Sequence, residues 1–153
     1  MGSAQDTFIS STMWTERVGF VAGLATLNKL TKCNVSEHLV KIGTHIGDGW
    51  SELAKKHSLD VFITEYKPLV SFKLNYGKDN NAIETLFIQE MLKKGYLAST
   101  SVYVTYAHTI EIANKYLEGV DEVFKILSDA IKKDKVSDLL ETEVRTDMFK
   151  RLN

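Results

Sequence analysis

One cysteine, Cys33, and one proline, Pro68, are the whole complement of those two residue types in 153 residues. A single thiol forms no internal disulfide, which excludes the disulfide-stapled secreted scaffolds and points to a reducing, cytoplasmic setting. The four histidines fall in no metal-site spacing with that cysteine or with each other, so no zinc site is expected. Charge of one sign is lacking too. Against 20 acidic residues stand 19 basic ones, leaving a formal charge of −1 without runs of like charge. Neither nucleic acid nor an anionic membrane surface therefore has an electrostatic claim on the chain. Long hydrophobic runs are absent, each being broken by Gly, Lys or Asn well short of the roughly 20 residues a membrane span needs. The N-terminus has no basic segment leading into an apolar one, so neither a secreted nor an integral membrane protein is expected. Glycine-based signatures are missing as well: no Gly-x-Ser-x-Gly elbow, phosphate loop or dinucleotide fingerprint occurs.

What is present is ordinary globular material, 44% hydrophobic and 25% charged, enough for one core. Residues 1–3, Met-Gly-Ser, have the look of an expression leader, and residues 4–153 are expected to form a single domain. Apolar residues recur at helical spacing from Trp14 to Lys32, with Leu24, Leu27 and Leu30 broadening the stripe and Ser11, Thr12 or Thr15 available as caps. A second helix is expected over 36–57, with Leu39, Ile42, Ile46, Trp50 and Leu53 on one stripe. Gly43, Gly47 and Gly49 weaken it, so it must lean on tertiary packing.

The period then changes. Val61 to Thr64 reads as a short strand, and Val70, Phe72, Leu74 and Tyr76 alternate with polar residues as a half-buried strand that Gly77 closes. Asn81, with Glu84 three residues on, resembles a helix start, and Ile83, Leu86, Phe87 and Met91 give that helix an apolar face ending at Gly95. Val102, Val104 and Tyr106 alternate as a further strand. Thr109 is placed to cap a helix whose Ala113, Leu117, Val120, Phe124, Leu127 and Ile131 share a face. Val136, Leu139, Leu140 and Val144 suggest a last helical stretch. The fold class that follows is α+β: a small, mainly antiparallel sheet covered by helices, with a long N-terminal helix.

The residues alone assemble no complete active site. His38 and His45 are seven apart on one helix, too far for two ligands of one metal from that helix. His57 suits a helix C-terminus, where the dipole favours it. His108, between a strand and a capped helix, is either a site residue or a fixer of the turn. Cys33 has no activating histidine nearby in the sequence. The carboxylates Glu111, Asp121, Asp138 and Glu141 read as solvated helix faces. Tyr66, Tyr76, Tyr103 and Tyr106 read as core or interface filling.

Several stretches, in order, carry a resemblance. Phe8–Leu27 (FISSTMWTERVGFVAGLATL) looks like the passage that follows the cofactor lysine in class III aminotransferases, the pyridoxal-phosphate enzymes of fold type I. Leu86–Ala98 (LFIQEMLKKGYLA) is similar to their helix–Gly–strand passage, Tyr106–Thr109 (YAHT) to the start of their long late helix, and Met148–Leu152 (MFKRL) to their C-terminus. The nearest branch resembles glutamate-1-semialdehyde aminomutase. The resemblance implies an aminotransferase C-terminal domain whose parent, a cytoplasmic homodimer, uses pyridoxal 5'-phosphate and a small-molecule amino donor and acceptor. It also implies that the catalytic lysine lies upstream of Thr7, so that this chain alone binds no cofactor and is inactive. Thr12 matches the position that binds the phosphate of the cofactor in the neighbouring subunit; a plain helix cap is the other reading of it. The family has small residues where Met13-Trp14-Thr15-Glu16-Arg17 stands here. Arg17 is accordingly either a partner for a substrate carboxylate or a surface charge. No arginine near Tyr103 to Thr109 offers the carboxylate clamp of ornithine-type enzymes. A non-catalytic interaction module derived from such a domain is the alternative.

Overall fold

The computed structural model describes residues 16–146. The chain divides at Val35 and Ser36 into two compact units. The first unit contributes helix α1, Arg17–Lys32, entered from Glu16 without a side-chain cap; the candidate caps Ser11, Thr12 and Thr15 lie outside the described residues. Val18, Phe20, Val21, Leu24, Leu27 and Leu30 spread around most of its circumference, and none of its residues is buried.

The second unit holds three further helices and a three-stranded sheet. Helix α2 is Val35–His57, followed by strands β1, Val61–Ile63, and β2, Leu69–Leu74. A 3-10 turn, Gly77–Asp79, leads into α3, Asn80–Lys93; β3 is Ser101–Tyr103 and α4 is Ile110–Lys132. The sheet order is β1-β2-β3 and both pairings are antiparallel, with Val61 opposite Leu74, Ile63 opposite Phe72 and Ser71 opposite Ser101. The α+β class is thus the observed one.

The apolar periodicities explain where each element points. On β2, Val70, Phe72 and Leu74 are buried while Lys73 is exposed, which puts one sheet face against the helices. Ile42, Ile46 and Trp50 of α2 are buried, as are Ile83, Leu86, Phe87 and Met91 of α3 and Val120, Phe124 and Leu127 of α4. Phe72 is the hub, edge-on to Trp50 at 5.0 Å, Phe87 at 5.1 Å and Phe124 at 5.8 Å between ring centroids. One strand residue thereby joins three helices through edge-to-face pairs, each worth about 0.5–1.5 kcal/mol beyond its buried area.

Helix ends follow from local chemistry. Thr109 Oγ1 accepts the Ile112 N–H at 3.2 Å, the cap expected for α4. Gly95, at φ 86°, closes α3: its N–H donates to Leu92 O and that of Tyr96 to Met91 O, a Schellman pair.

Three expectations are corrected. The strand drawn through Tyr106 ends at Tyr103, because the chain reverses at Thr105–His108, with the His108 N–H on Thr105 O. Asn81 is not the start of α3. Helix begins one residue earlier, and the Asn80 side chain instead accepts the Tyr76 N–H at 2.8 Å. The stretch from Val136 to Val144 is not a helix beyond the short turn Ser137–Leu139. Its backbone is claimed by side chains of α3: Gln89 Nε2 donates to Leu139 O and Gln89 Oε1 accepts the Glu141 N–H, at 2.9 and 2.7 Å. Thr85 Oγ1 accepts the Arg145 N–H at 3.0 Å. An extended segment satisfied in this way has no need of helical hydrogen bonds.

Candidate functional site

Two places in the second unit gather polar side chains. The first is an apolar groove of about 410 Å³, walled by Ile46 of α2, residues 96–99 and 101–103, and Ile112, Ala113 and Tyr116 of α4, with His108 at its edge. No Lys, Arg, Asp or Glu lines it. The first turn of α4 places Ile112 and Tyr116 on adjoining turns, four residues apart, so that both reach the same groove.

Its polar groups are mostly engaged. Ser99 Oγ accepts the Ser101 N–H and donates to Ser101 O, closing a small loop. Ser101 Oγ bonds Ser71 Oγ across β2 and β3 at 2.8 Å. His108 is held twice. Its Nδ1 accepts the Thr105 N–H at 3.1 Å, and its carbonyl accepts from His38 Nε2 at 2.8 Å. A neutral ring whose Nδ1 is an acceptor carries its proton on Nε2.

Deeper in, Tyr116 Oη and Trp50 Nε1 are buried without a hydrogen-bond partner among the described residues. Burial pushes the Tyr116 hydroxyl above the ordinary phenol range, and the Trp50 indole N–H beside it offsets only part of that.

The second place is an ionic cluster between the end of α2 and the middle of α4. Asp121 accepts from Lys56 Nζ and from His57 Nε2, each at 2.6 Å. Lys56 and then His57 hold the Asp121 carboxyl below its usual range against a smaller opposing effect of burial. Ser128 completes the picture without making a catalytic triad: its Oγ donates to the His57 carbonyl at 2.6 Å, not to the ring.

The structure places the sequence candidates as follows. His38, His45 and His57 project from α2 and bond the His108 carbonyl, Asn114 and Asp121 in turn. Their partners advance in the same order, so α2 and α4 run in the same direction, stitched along their length. Glu111 pairs with Lys115, four residues on, and Glu141 with Lys93. Tyr66, in the connection between β1 and β2, and Tyr103, at the end of β3, are exposed, so neither fills the core, one of the two roles expected of them. Cys33 is a free, half-buried thiol at the end of α1, and Arg17 opens that helix. Thr12 lies outside the described residues. The sequence named His108 but missed Tyr116 and Ser101, and it named His57 and Asp121 without joining them. The helical spacing of Ala113 and Tyr116 was the available signal for the groove.

No protein-family model matches the sequence. Among solved structures, the chain is similar to the FumI protein of Sphingopyxis sp. MTA144, determined in its PLP internal aldimine form, with a TM-score of 0.74 and 19% sequence identity. The match covers 86% of this chain and 32% of that one, so the chain spans about a third of the length of this neighbour. At that identity the shared property is the fold, and the α+β arrangement described above is one found within a PLP-bound protein.

Proposed function

We propose that this chain is the C-terminal domain of a pyridoxal-phosphate-dependent enzyme of the class III aminotransferase group, nearest its glutamate-1-semialdehyde aminomutase-like branch. The observation that carries the reading is the fold likeness over 86% of the chain to a PLP-bound protein. The ordered stretches Phe8–Leu27, Leu86–Ala98 and Tyr106–Thr109 support it from the sequence.

The apolar groove holds no lysine to carry it and no carboxylate to face its ring nitrogen. Lys56, Lys93, Lys94 and Lys115 are engaged in ion pairs with Asp121, Glu90 and Glu141, Glu122 and Glu111. In this reading the catalytic lysine belongs to a segment that this sequence does not contain. The domain supplies wall and subunit contact in a homodimer, with Thr12 offered to the phosphate. The parent moves an amino group between small molecules.

The test is to read the coding sequence upstream of the Ala4 codon, express the extended chain, and reduce it with borohydride in the presence of pyridoxal phosphate. One lysine in the added segment is expected to retain the cofactor, while the lysines of the present chain take only sparse label. A stoichiometrically labelled lysine within residues 1–153 would overturn the assignment. A stop codon in frame just upstream would replace it with the interaction-module reading.

A further inference from the structure

The sheet has two edges, and the chain treats them differently. Along an antiparallel strand, successive residues turn their N–H and C=O alternately toward the neighbouring strand and away from it. The Phe72 N–H donates to Thr100 O and the Val104 N–H to Pro68 O, so on β3 the even-numbered residues face β2 and Ser101 points outward. Its N–H and C=O are both taken by Ser99 Oγ, at 3.1 and 3.0 Å. At Ser101, then, the chain closes its own edge.

The other edge is β1. The Thr64 N–H donates to Ser71 O and the Asn75 N–H to Asp60 O, so Asp60, Phe62 and Thr64 face β2 while Val61 and Ile63 point outward. Among the described residues no hydrogen bond reaches the outward N–H and C=O groups of Val61 and Ile63. The usual guards of an open edge are missing too: residues 60–64 include no Lys, Arg or Pro. Phe62, on the sheet face that also bears Lys73, is 61% exposed. An edge of this kind selects an extended segment and holds it as an added strand.

Magnitude decides where that segment comes from. Two outward residues offer at most about four hydrogen bonds, each worth roughly a three- to tenfold gain in affinity. Set against the entropy of association, these hold a separate molecule only at about millimolar concentration. A segment of the same polypeptide meets the edge at an effective concentration of about that order without paying for association. The matched part is 32% of the structural neighbour's chain, which leaves a parent of that length ample polypeptide to supply the strand.

We propose that β1 takes on a fourth strand contributed by the upstream portion of the parent polypeptide, an inference that rests on the parentage given above. The added strand bonds the N–H and C=O of Val61 and Ile63 and sets an apolar side chain across from Phe62. The sheet of the intact protein is then four-stranded, with β1 in its interior.

The experiment compares the chain of 153 residues with the extended chain encoded upstream, by amide hydrogen exchange resolved to single residues with fragmentation mass spectrometry. In both, the Phe62 and Thr64 amides are expected to be protected, because they face β2. The Val61 and Ile63 amides are expected to exchange at least about tenfold more slowly in the extended chain than in the shorter one. Val61→Pro removes an outward donor and no bond to β2. In the extended chain it is expected to return the Ile63 amide to the rate of the shorter chain, with Phe62 and Thr64 still protected. Ile63→Pro is the reciprocal variant, read at Val61. Protection of Val61 and Ile63 already in the shorter chain, rapid exchange of both in the extended chain, or protection there that survives both proline variants would each overturn the proposal. Borohydride labelling reports on the parentage separately, so an extended chain with a labelled lysine and an unprotected β1 edge sinks this inference alone. A stop codon just upstream removes both.

Discussion

At Gly43 the backbone of α2 comes down onto the chain reversal ahead of β2. A methyl group added there would lie 1.9 Å from the Lys67 carbonyl oxygen and 2.7 Å from its carbon, both backbone atoms. No rotamer change relieves such a contact, so Gly43→Ala must push α2 off the sheet. We expect a loss of at least about 2 kcal/mol, read as a fall in the urea midpoint. Gly23→Ala on α1 is the control. Nothing lies within 4 Å of the added methyl, and helicity is expected to rise with a gain of roughly 0.5–1 kcal/mol. The sequence reading takes Gly43 only as a weak point in its helix and does not set it apart from a glycine such as Gly23. What separates them is the position of Lys67, which no local pattern reveals.

The helices share a device at their C-termini. Asn34, Ser58, Gly95 and Asp134 all have φ between 49° and 86°, and each follows the end of a helix. At α4 the Asp134 N–H donates to Ile131 O and the Lys135 N–H to Ala130 O, the same pair of bonds that closes α3. Only Gly95 takes this backbone without steric cost. Asp134→Gly is therefore expected to raise stability by about 1 kcal/mol, and Gly95→Ala to lower it by a similar amount, both measured by thermal unfolding.

Elements were legible where a long stripe repeats. Six apolar positions define α4, five define α2, and the alternation through Phe72 defines β2. Legibility failed where backbone groups find distant partners. Val136, Leu139, Leu140 and Val144 have helical spacing, but Gln89 and Thr85, about fifty to sixty residues away, take the hydrogen bonds a helix would use. The groove was harder still. Ile46, Ser101 and Tyr116 are separated by α3 and the sheet, and only the fold brings them together. His108 was visible because it sits at a junction that the sequence marks with Thr109.

For the whole molecule, α1 is the telling element. A helix that is apolar around most of its circumference is normally covered on more than one side. Here Phe20 is 70% exposed and Leu24 64%. No helix among the described residues is long and apolar enough to cross a membrane. We expect the isolated chain to self-associate, with a sedimentation coefficient that rises with concentration. The double change Phe20→Lys and Leu24→Lys should abolish the rise. A concentration-independent monomer for the unmodified chain would contradict this.

The clasp that Gln89 and Thr85 place on the segment after α4 marks where the cooperatively packed part of the polypeptide stops. Among the described residues, Leu140 is the last that packs against the core. Beyond it the chain is held to one helix by side-chain hydrogen bonds and by the ion pairs Lys93–Glu141 and Arg145–Glu84. Such a segment behaves as a tether with a fixed mooring. It can be peeled from α3 while Phe72 and its three helices stay in place. Its last anchored residue, Arg145, is moored on α3 at Glu84 and Thr85.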